Sequence, residues 1–198
     1  MASQFFDELR QSVGEIKFLA DPTAGELRIA CADSMLSGLL PLIIDRLCSR
    51  HPKLTFHVGW AFSGAPLYQE LRERRVDLVL GKVPMPLGEP DMNPEILFDE
   101  RYVVVAGTQS PWARRRRISL GELMNERWVL PPPGNSEGRV QIFEMFQAAG
   151  LQIPEAAVFS SSIQLYDMLV TGGRFLAMLP TSVLRFGPRR SIKVLPVR

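Results

Sequence analysis

Hydrophobic residues in the first half of the chain alternate between short continuous runs and helical spacing. Three runs are typical of buried strands: residues 27–32 (LRIACA), 55–61 (TFHVGWA) and 76–80 (VDLVL). Between the first two, apolar residues recur every three or four positions, as on the inner face of a helix: Leu39, Leu40, Ile43, Ile44, Leu47 and Cys48. Pro41 is tolerated only in a first turn, so this helix is predicted to begin between Ser34 and Ser37. A second helix is predicted from Ser63 and Gly64, and the alternation predicts a parallel sheet.

The same alternation returns after a proline-rich stretch at residues 84–90. Strands are predicted at residues 96–98, 102–106, 128–130, 158–159, 175–179 and 192–195. Helices are predicted at residues 120–124, at residues 137–149, and from Ser160–Ser162 to about residue 171, while residues 111–117 read as a loop. Ahead of the first strand, residues 3–20 form a predicted amphipathic helix. A second set of strands and helices therefore follows the first.

Small hydrogen-bonding residues follow several of the predicted strands. The serines at these turns are Ser34, Ser37, Ser63, Ser136, Ser161 and Ser162. Each one alone is more often a helix cap than a ligand contact. Together they indicate a binding site, because the turns of one parallel sheet open at the same edge, where helix N-termini favour a small anion. Since these turns contain no lysine or arginine, we expect a small carboxylate held by neutral hydrogen bonds.

Composition narrows the class of protein without naming a function. The 198 residues are 46% hydrophobic and 22% charged, with a net charge of +2, which is typical of a globular protein with an ordinary core. No apolar run approaches the roughly 20 residues that span a bilayer, and the first residues do not resemble a secretory signal. Cys31 and Cys48 are predicted to be buried small hydrophobes rather than a disulfide. These features favour a cytoplasmic protein without a membrane partner.

The sequence offers little catalytic chemistry. His51 and His57 have no partners at metal-ligand spacing, and none of the common zinc, nucleotide-binding or nucleophile-elbow motifs is present. A Ser–His–Asp triad stays open, because triads assemble in space. Four consecutive arginines at residues 114–117 read as a solvated loop more readily than as a phosphate-binding patch. No metal, cofactor or catalytic residue is therefore assigned.

The predicted helix at residues 137–149 is apolar over more than the stripe of roughly 100° that packing on one sheet needs. A deeply buried helix and a helix with a second apolar face for a partner subunit both explain this width. The sequence leaves the two alternatives open.

Several short motifs occur in a fixed order along almost the whole chain. They are residues 25–29 (GELRI), 39–41 (LLP), 51–52 (HP), 77–80 (DLVL), 110–113 (SPWA), 118–120 (ISL), 172–173 (GG) and 177–180 (AMLP). In this order and spacing the chain resembles the effector-binding region of LysR-type transcriptional regulators. The resemblance implies an α/β fold of two Rossmann-like subdomains with a ligand cleft between them, similar to type 2 periplasmic binding proteins.

The resemblance also implies boundaries. Residues 1–24 correspond to the linker helix, residues 25–105 plus 192–198 to the first subdomain, and residues 106–191 to the second. The chain is expected to cross between subdomains near Val105 and again near Val194. The family continues past the second crossing with another strand and helix, so the first subdomain is expected to be incomplete. Phe175 stands where the family often has a second glycine, and we expect it to narrow the cleft.

By position, the family's effector contacts correspond to Ser34, Met35, Ser63, Gly64, Pro133, Gly134, Asn135, Ser136, Ser161 and Ser162. The implied function is to sense a small metabolite and thereby control DNA binding and transcription by the full-length protein. DNA would be bound only through an N-terminal winged helix-turn-helix that this sequence lacks, so no operator binding is expected from the chain alone. The family implies a homodimer, and a tetramer in the full-length protein.

Two other functions are compatible with the expected scaffold. A solute-binding protein of a transport system shares the expected fold, although the missing signal peptide argues against it. An enzyme on the same scaffold would need a reactive side chain in the cleft. Asp33 is the nearest candidate for one, but an aspartate beside a helix start is usually a cap. The sequence does not name the effector.

Overall fold

The computed structural model describes residues 24–60, 65–82, 92–134, 137–188 and 191–198. The predicted helix over residues 3–20 lies outside these ranges. The chain divides into two compact units, Met1–Asp91 and Met92–Arg198, and both contain a sheet with parallel strands.

The first unit contains a three-stranded parallel sheet. Its strands are β1 (Gly25–Cys31), β2 (Leu54–Trp60) and β3 (Leu78–Leu80), in the order β2-β1-β3. Cys31 at the end of β1 pairs with Trp60 on one side and Leu80 on the other. The three strands therefore end together at one edge, as the alternating pattern predicts for a parallel sheet.

The described residues of this unit include the helices α1 (Asp33–Leu36), α2 (Leu39–Arg50) and α3 (Ala65–Arg72). The prediction of one helix beginning between Ser34 and Ser37 is wrong, because the helical conformation is interrupted at Ser37 and Gly38. The break places Pro41 in the first turn of α2, where its missing N–H costs nothing. In a helix continuous from Asp33, the proline ring would clash with the carbonyl four residues earlier.

Among the described residues of the first unit, the hydrophobic core cluster is small. Ile29, Cys31 and Leu40 are buried, and partly buried residues pack on them: Leu27, Met35, Leu36, Ile44, Phe56 and Leu80. Leu40 is the only buried residue of α2. Cys48 is exposed rather than buried, which corrects the prediction, because the apolar side of α2 faces an open depression instead of a second layer.

The second unit contains a mixed five-stranded sheet of order β6-β5-β7-β4-β8. The strands are β4 (Tyr102–Gly107), β5 (Trp128–Leu130), β6 (Ala156–Phe159), β7 (Leu176–Pro180) and β8 (Ile192–Val194). β5 runs parallel to β6 and β7, whereas β4 runs antiparallel to β7 and β8. The resemblance assigns residues 25–105 and 192–198 to the first subdomain. In the structure residues 102–105 and 192–194 pair with each other and with β7 or β4 in the second sheet.

The helices of the second unit are α4 (Glu137–Ala148), α5 (Ile163–Thr171) and α6 (Thr181–Phe186), with 3₁₀ turns at Pro111–Arg114 and Leu120–Leu123. The predicted strand at residues 96–98 is wrong, because residues 92–101 form no regular element and pair with no strand. The sequence also misses α6. Pro180 ends β7 and is also the N-cap of this helix.

Both faces of the second sheet are covered by buried side chains. On one face Trp128 packs edge-on against Phe146 with 5.7 Å between ring centroids, and its Nε1 donates to the carbonyl of Leu123. On the other, Val170 of α5 packs with Val105 and Leu179. This sheet provides the rigid frame from which the turns described next project.

Candidate functional site

The carboxyl edge of the first sheet contains the turn from β1 into α1. Ala32 occupies the N-cap of α1, and its N–H donates to the carbonyl of Leu80 at the end of β3. Ser34 is half-buried in the first turn and does not cap the helix. Met35 packs partly against the core of this unit. Of the four predicted site residues in the first unit, Ser34 and Met35 thus lie at the expected edge, whereas Ser63 and Gly64 lie outside the described residues.

Cys31 ends β1 directly below this turn. Burial, and secondarily the negative charge of Asp33, raise the pKa of the Cys31 thiol to about 11. The thiol is therefore protonated at neutral pH and has no nucleophilic character. Asp33, the nearest candidate for the reactive side chain of the enzyme alternative, lies in the first turn of α1, where an acidic residue complements the helix dipole.

At the carboxyl edge of the second sheet, β5 and β6 end level with each other, with Leu130 paired to Phe159. Pro133 and Gly134, which follow β5, are exposed, and Gly134 has a φ of 127°, a conformation that favours glycine. Asn135 and Ser136 lie outside the described residues. The exposed Pro133 and Gly134 are therefore the part of this predicted turn that the structure places at the edge.

The serine turn after β6 lies against the end of β5. Ser160 donates its N–H to the carbonyl of Leu130, and its hydroxyl accepts from the N–H of Ser162. Ser162 caps α5, because its hydroxyl accepts from the N–H of Leu165 at 3.3 Å. Ser161 is exposed beside it. Ser162 therefore acts as the N-cap of α5, and Ser161 presents its side chain to solvent.

Arg139 is the main residue that the sequence reasoning missed. It lies in the first turn of α4, and its Nη1 donates to the carbonyl of Pro131 at 3.2 Å. Its guanidinium carbon stands 5.8 Å from the ring centroid of Phe159, at the end of β6. The predicted turns themselves contain no arginine, but α4 brings a guanidinium to the same edge. Nothing in the spacing revealed it, because Arg139 lies inside a predicted helix rather than in a turn.

Tyr166 of α5 reinforces the same edge. Its hydroxyl donates to the carbonyl of Ser160 at 3.1 Å. Burial and the neighbouring Tyr102 raise the pKa of Tyr166, while the positive charge of Arg139 opposes that rise. Tyr166 is therefore a neutral hydrogen-bond donor at physiological pH, and Arg139 is the permanent charge beside it.

The end of β7 is held by a carboxylate that the sequence reasoning also missed. Glu100 Oε1 accepts from the Thr181 hydroxyl at 2.8 Å and from the N–H of Ser182 at 3.1 Å, at the start of α6.

The Tyr102 hydroxyl lies very close to the backbone of α4 at Gly138. A Cβ atom at position 138 would stand only 2.7 Å from that hydroxyl. Glycine at position 138 is thus what allows this close approach.

Metal chemistry finds no support in the part of the chain that the structure describes. No group of three potential metal ligands occurs there, and the exposed His57 lies 3.7 Å from Glu26 alone. Among the same residues, no helix is both long and apolar enough to cross a bilayer.

Comparison with known proteins identifies a family. A model of the LysR substrate binding domain matches residues 20–198. The transcriptional dual regulator GltC of Bacillus subtilis is 27% identical over 175 residues, which is 88% of this chain and 57% of GltC. The chain therefore spans little more than half the length of that relative.

Two solved structures share the fold. The BenM effector binding domain with its effector benzoate has a TM-score of 0.66 at 23% identity and covers 87% of this chain and 77% of its own. The effector binding domain of QuiR in complex with shikimate has a TM-score of 0.64 at 17% identity and covers 88% and 81%. These likenesses confirm the predicted fold class.

Proposed function

The chain belongs to the LysR substrate binding domain family, and on that premise we propose that it senses a small carboxylate effector for a transcriptional regulator. The relatives are regulators and not enzymes, so the role of this domain is regulatory rather than catalytic. In the proposed mechanism, effector binding here controls DNA binding by an N-terminal domain of the full-length protein. The cytoplasm is the proposed setting, because the metabolite and the DNA are both accessible there.

The observation that carries the ligand class is the fixed position of Arg139. Its guanidinium is held between the carbonyl of Pro131 and the ring of Phe159, where two parallel strands end. A positive charge at that edge favours a carboxylate over a neutral sugar or a cation. The N-terminus of α5, capped by Ser162, adds a positive dipole end at the same edge.

The effector contacts are proposed to come from both units. Ser34, Met35, Ser63 and Gly64 are assigned to the first, and Pro133, Gly134, Asn135, Ser136, Ser161 and Ser162 to the second. The two solved domains of this fold hold benzoate and shikimate, which are both carboxylates. Their low identity carries over the fold and not the contacts, so the ligand class rests on the chemistry of this edge.

Calorimetry against a library of small organic acids, with benzoate and shikimate included, tests the proposal. Arg139→Met removes the charge at roughly constant length, and Arg139→Lys keeps it. The matched control is Arg185→Met, because Arg185 also stacks on a phenylalanine, 5.0 Å from the ring of Phe186. We expect to find an acid that binds wild type and the control with the same affinity. Its affinity should fall roughly tenfold or more in Arg139→Met and be partly restored in Arg139→Lys. If the acid binds Arg139→Met as tightly as wild type, the assignment fails.

A homodimer is proposed for the assembly, with a tetramer in the full-length protein. The apolar side of α2 and the edge strand β2 form an open depression of about 530 Å³, lined by Leu36, Leu40, Pro41, Ile44, Asp45, Cys48 and Val58. On the second unit, Val140 and Phe143 of α4 are 46% and 48% exposed, while Ile142 and Phe146 are buried. The broad apolar pattern of α4 therefore comprises one buried face and one exposed face.

We propose that the exposed face of α4 in one copy covers the depression beside α2 in another. The arrangement is antiparallel and side by side, and each subunit contributes one of each surface. Both surfaces are apolar and uncovered in the described chain, and a second copy supplies the complementary patch for each.

A further inference from the structure

The four arginines at residues 114–117 are held at both ends by buried neighbours. Before them Ala113 is buried, and its carbonyl accepts from Lys193 Nζ at 2.6 Å. After them Ile118 is buried, bridges to Val197 and donates its N–H to the carbonyl of Pro196. The run is therefore exposed, as a solvated loop is expected to be, and its backbone is anchored at both ends.

Little of this positive charge is neutralised by the fold. All four arginines are exposed, and Lys193 adds a fifth charge beside them. Arg115 stacks on Trp112 at 5.7 Å and lies 3.9 Å from Glu122. Within the described parts of the chain, Arg114, Arg116 and Arg117 have no ion-pair partner. We refer to Arg114–Arg117 with Lys193 as the basic surface.

The chemistry of the basic surface fits phosphate. A guanidinium donates two parallel hydrogen bonds to one phosphate, and adjacent exposed arginines repel one another until a polyanion neutralises them. Residues 92–198 carry 13 Lys and Arg against 9 Asp and Glu, a formal charge of +4, so the whole unit attracts the same partner. Binding to a membrane surface is strengthened when apolar residues insert beside the charges. Trp112, the nearest aromatic residue, is instead packed against the core.

We propose that the basic surface binds the phosphate backbone of duplex DNA without reading its sequence. Duplex DNA is the polyanion that a transcriptional regulator meets, and it presents about one negative charge per 1.7 Å of its length. The surface would supplement the sequence-specific domain of the full-length protein by holding the regulatory domain against adjacent DNA. The choice of DNA as the partner rests on the proposed role in transcription. The surface shares no residue with the proposed effector site, so failure of DNA binding and failure of acid binding are distinguishable.

Fluorescence anisotropy with a labelled mixed-sequence duplex of about 30 base pairs tests the surface, at about 50 and about 200 mM salt. The test variant combines Arg114→Gln, Arg116→Gln and Arg117→Gln, and leaves Arg115 in place because it stacks on Trp112. The matched control combines Arg101→Gln, Arg127→Gln and Arg174→Gln, three exposed arginines of the same unit, so the net charge falls equally. Thermal unfolding and calorimetry with organic acids accompany both variants.

We expect weak binding by wild type, a loss of about tenfold or more in the test variant at low salt, and a salt slope reduced by about three. The control is expected to change affinity less than threefold, and both variants to unfold and bind acids as wild type does. Equal losses in the two variants would overturn the proposal, because net charge alone would then explain binding. The proposal would also be overturned if the test variant bound DNA as wild type does but lost binding to polyglutamate or to phosphatidylserine vesicles. The surface would then be assigned to acidic protein or to anionic lipid, whichever binding was lost.

Discussion

Val105 and Val194 lie opposite each other in the antiparallel pair of β4 and β8, with Val105 fully buried and Val194 46% exposed. The resemblance placed the two crossings of the chain near these residues, 89 positions apart in sequence. The pairing brings the two segments together. Leu195, the next residue, donates its N–H to the carbonyl of Val104 and is buried in the core below Trp128.

This relationship predicts that Leu195 anchors the last residues to the second unit. Leu195→Ala is expected to lower the free energy of unfolding by about 2–4 kcal/mol, because it leaves a cavity in a packed cluster. Its neighbour Val194 is the matched control, and Val194→Ala is expected to cost about 0.5 kcal/mol or less. Urea denaturation followed by tryptophan fluorescence measures both. Equal costs for the two variants would show that β8 does not hold the segment as described.

The regular elements of the fold were largely predictable because they follow local periodicity. The strands β1, β5 and β7 and the helix α4 lie within one or two residues of their predicted bounds, since short apolar runs and terminal glycines or prolines are local signals. The break before α2 was not predicted. A proline at position 41 is compatible with one helix that begins a few residues before it. It is equally compatible with a short helix that ends at Leu36 and a second helix that begins at Leu39. The sequence alone does not choose between these two arrangements.

The candidate site was less predictable than the fold. Ser34, Ser161 and Ser162 lie at the expected edges because parallel strands end there. Arg139 was missed, because its role depends on a guanidinium reaching the carbonyl of Pro131 and the ring of Phe159. These contacts join the turn after β5, the helix α4 and the end of β6, and no short stretch of sequence contains all three. The assignment of β4 and β8 to one sheet likewise depends on a long-range pairing.

The two thiols are expected to react very differently. Cys48 is exposed, whereas Cys31 is buried with its pKa raised to about 11. Cys48 lines the depression that the proposed dimer covers, so the reaction is run on protein diluted until it is monomeric. At pH 8 a disulfide reagent such as dithionitrobenzoate is then expected to modify one thiol in the native monomer and both thiols in guanidinium chloride, since only a thiolate attacks. Cys48→Ser is the control and should leave no thiol that reacts in the native protein. Rapid modification of Cys31 without denaturant would contradict the described core.

The pH dependence of stability is expected to include Glu122. The backbone N–H of Ser119, which donates to Glu122 Oε2 at 2.8 Å, lowers the pKa of this carboxyl, and the Ser119 hydroxyl and Arg115 add to the effect. A carboxyl with a lower pKa in the folded state stabilises the fold above its unfolded pKa, and this stabilisation is lost as pH falls through the folded value. Glu122→Gln should therefore lower Tm at pH 7, and the difference should vanish at about pH 2–3.

Calorimetric unfolding at both pH values measures this contribution. Glu144→Gln, at an exposed position of α4, controls for the loss of one negative charge. A deficit in Glu122→Gln that persists at low pH would mean that the glutamine disturbs the 3₁₀ turn in another way.

Self-association is expected to depend on the exposed face of α4. Phe143→Glu places a charge where the proposed partner presents an apolar depression, so it should weaken the dimer by about 2 kcal/mol or more. Gln164→Glu adds the same charge at an exposed polar position of α5, outside the proposed face, and should have little effect. Sedimentation equilibrium measures all three proteins. A wild-type dimer that survives Phe143→Glu with unchanged affinity would exclude this face as the interface.

Effector binding is expected to depend on the half-buried Ser34 in the first turn of α1. Once calorimetry has identified a bound acid, Ser34→Ala should weaken it by about 0.5–1.5 kcal/mol, up to about tenfold, because one neutral hydrogen bond is lost. Ser34→Phe should abolish binding by filling the site while leaving Tm close to that of wild type. Ser49→Phe controls for bulk, since Ser49 is exposed in α2 and its hydroxyl bonds only to the carbonyl of Asp45 in its own helix. An acid that binds Ser34→Phe as tightly as wild type occupies another site, and the assignment of Ser34 is then wrong.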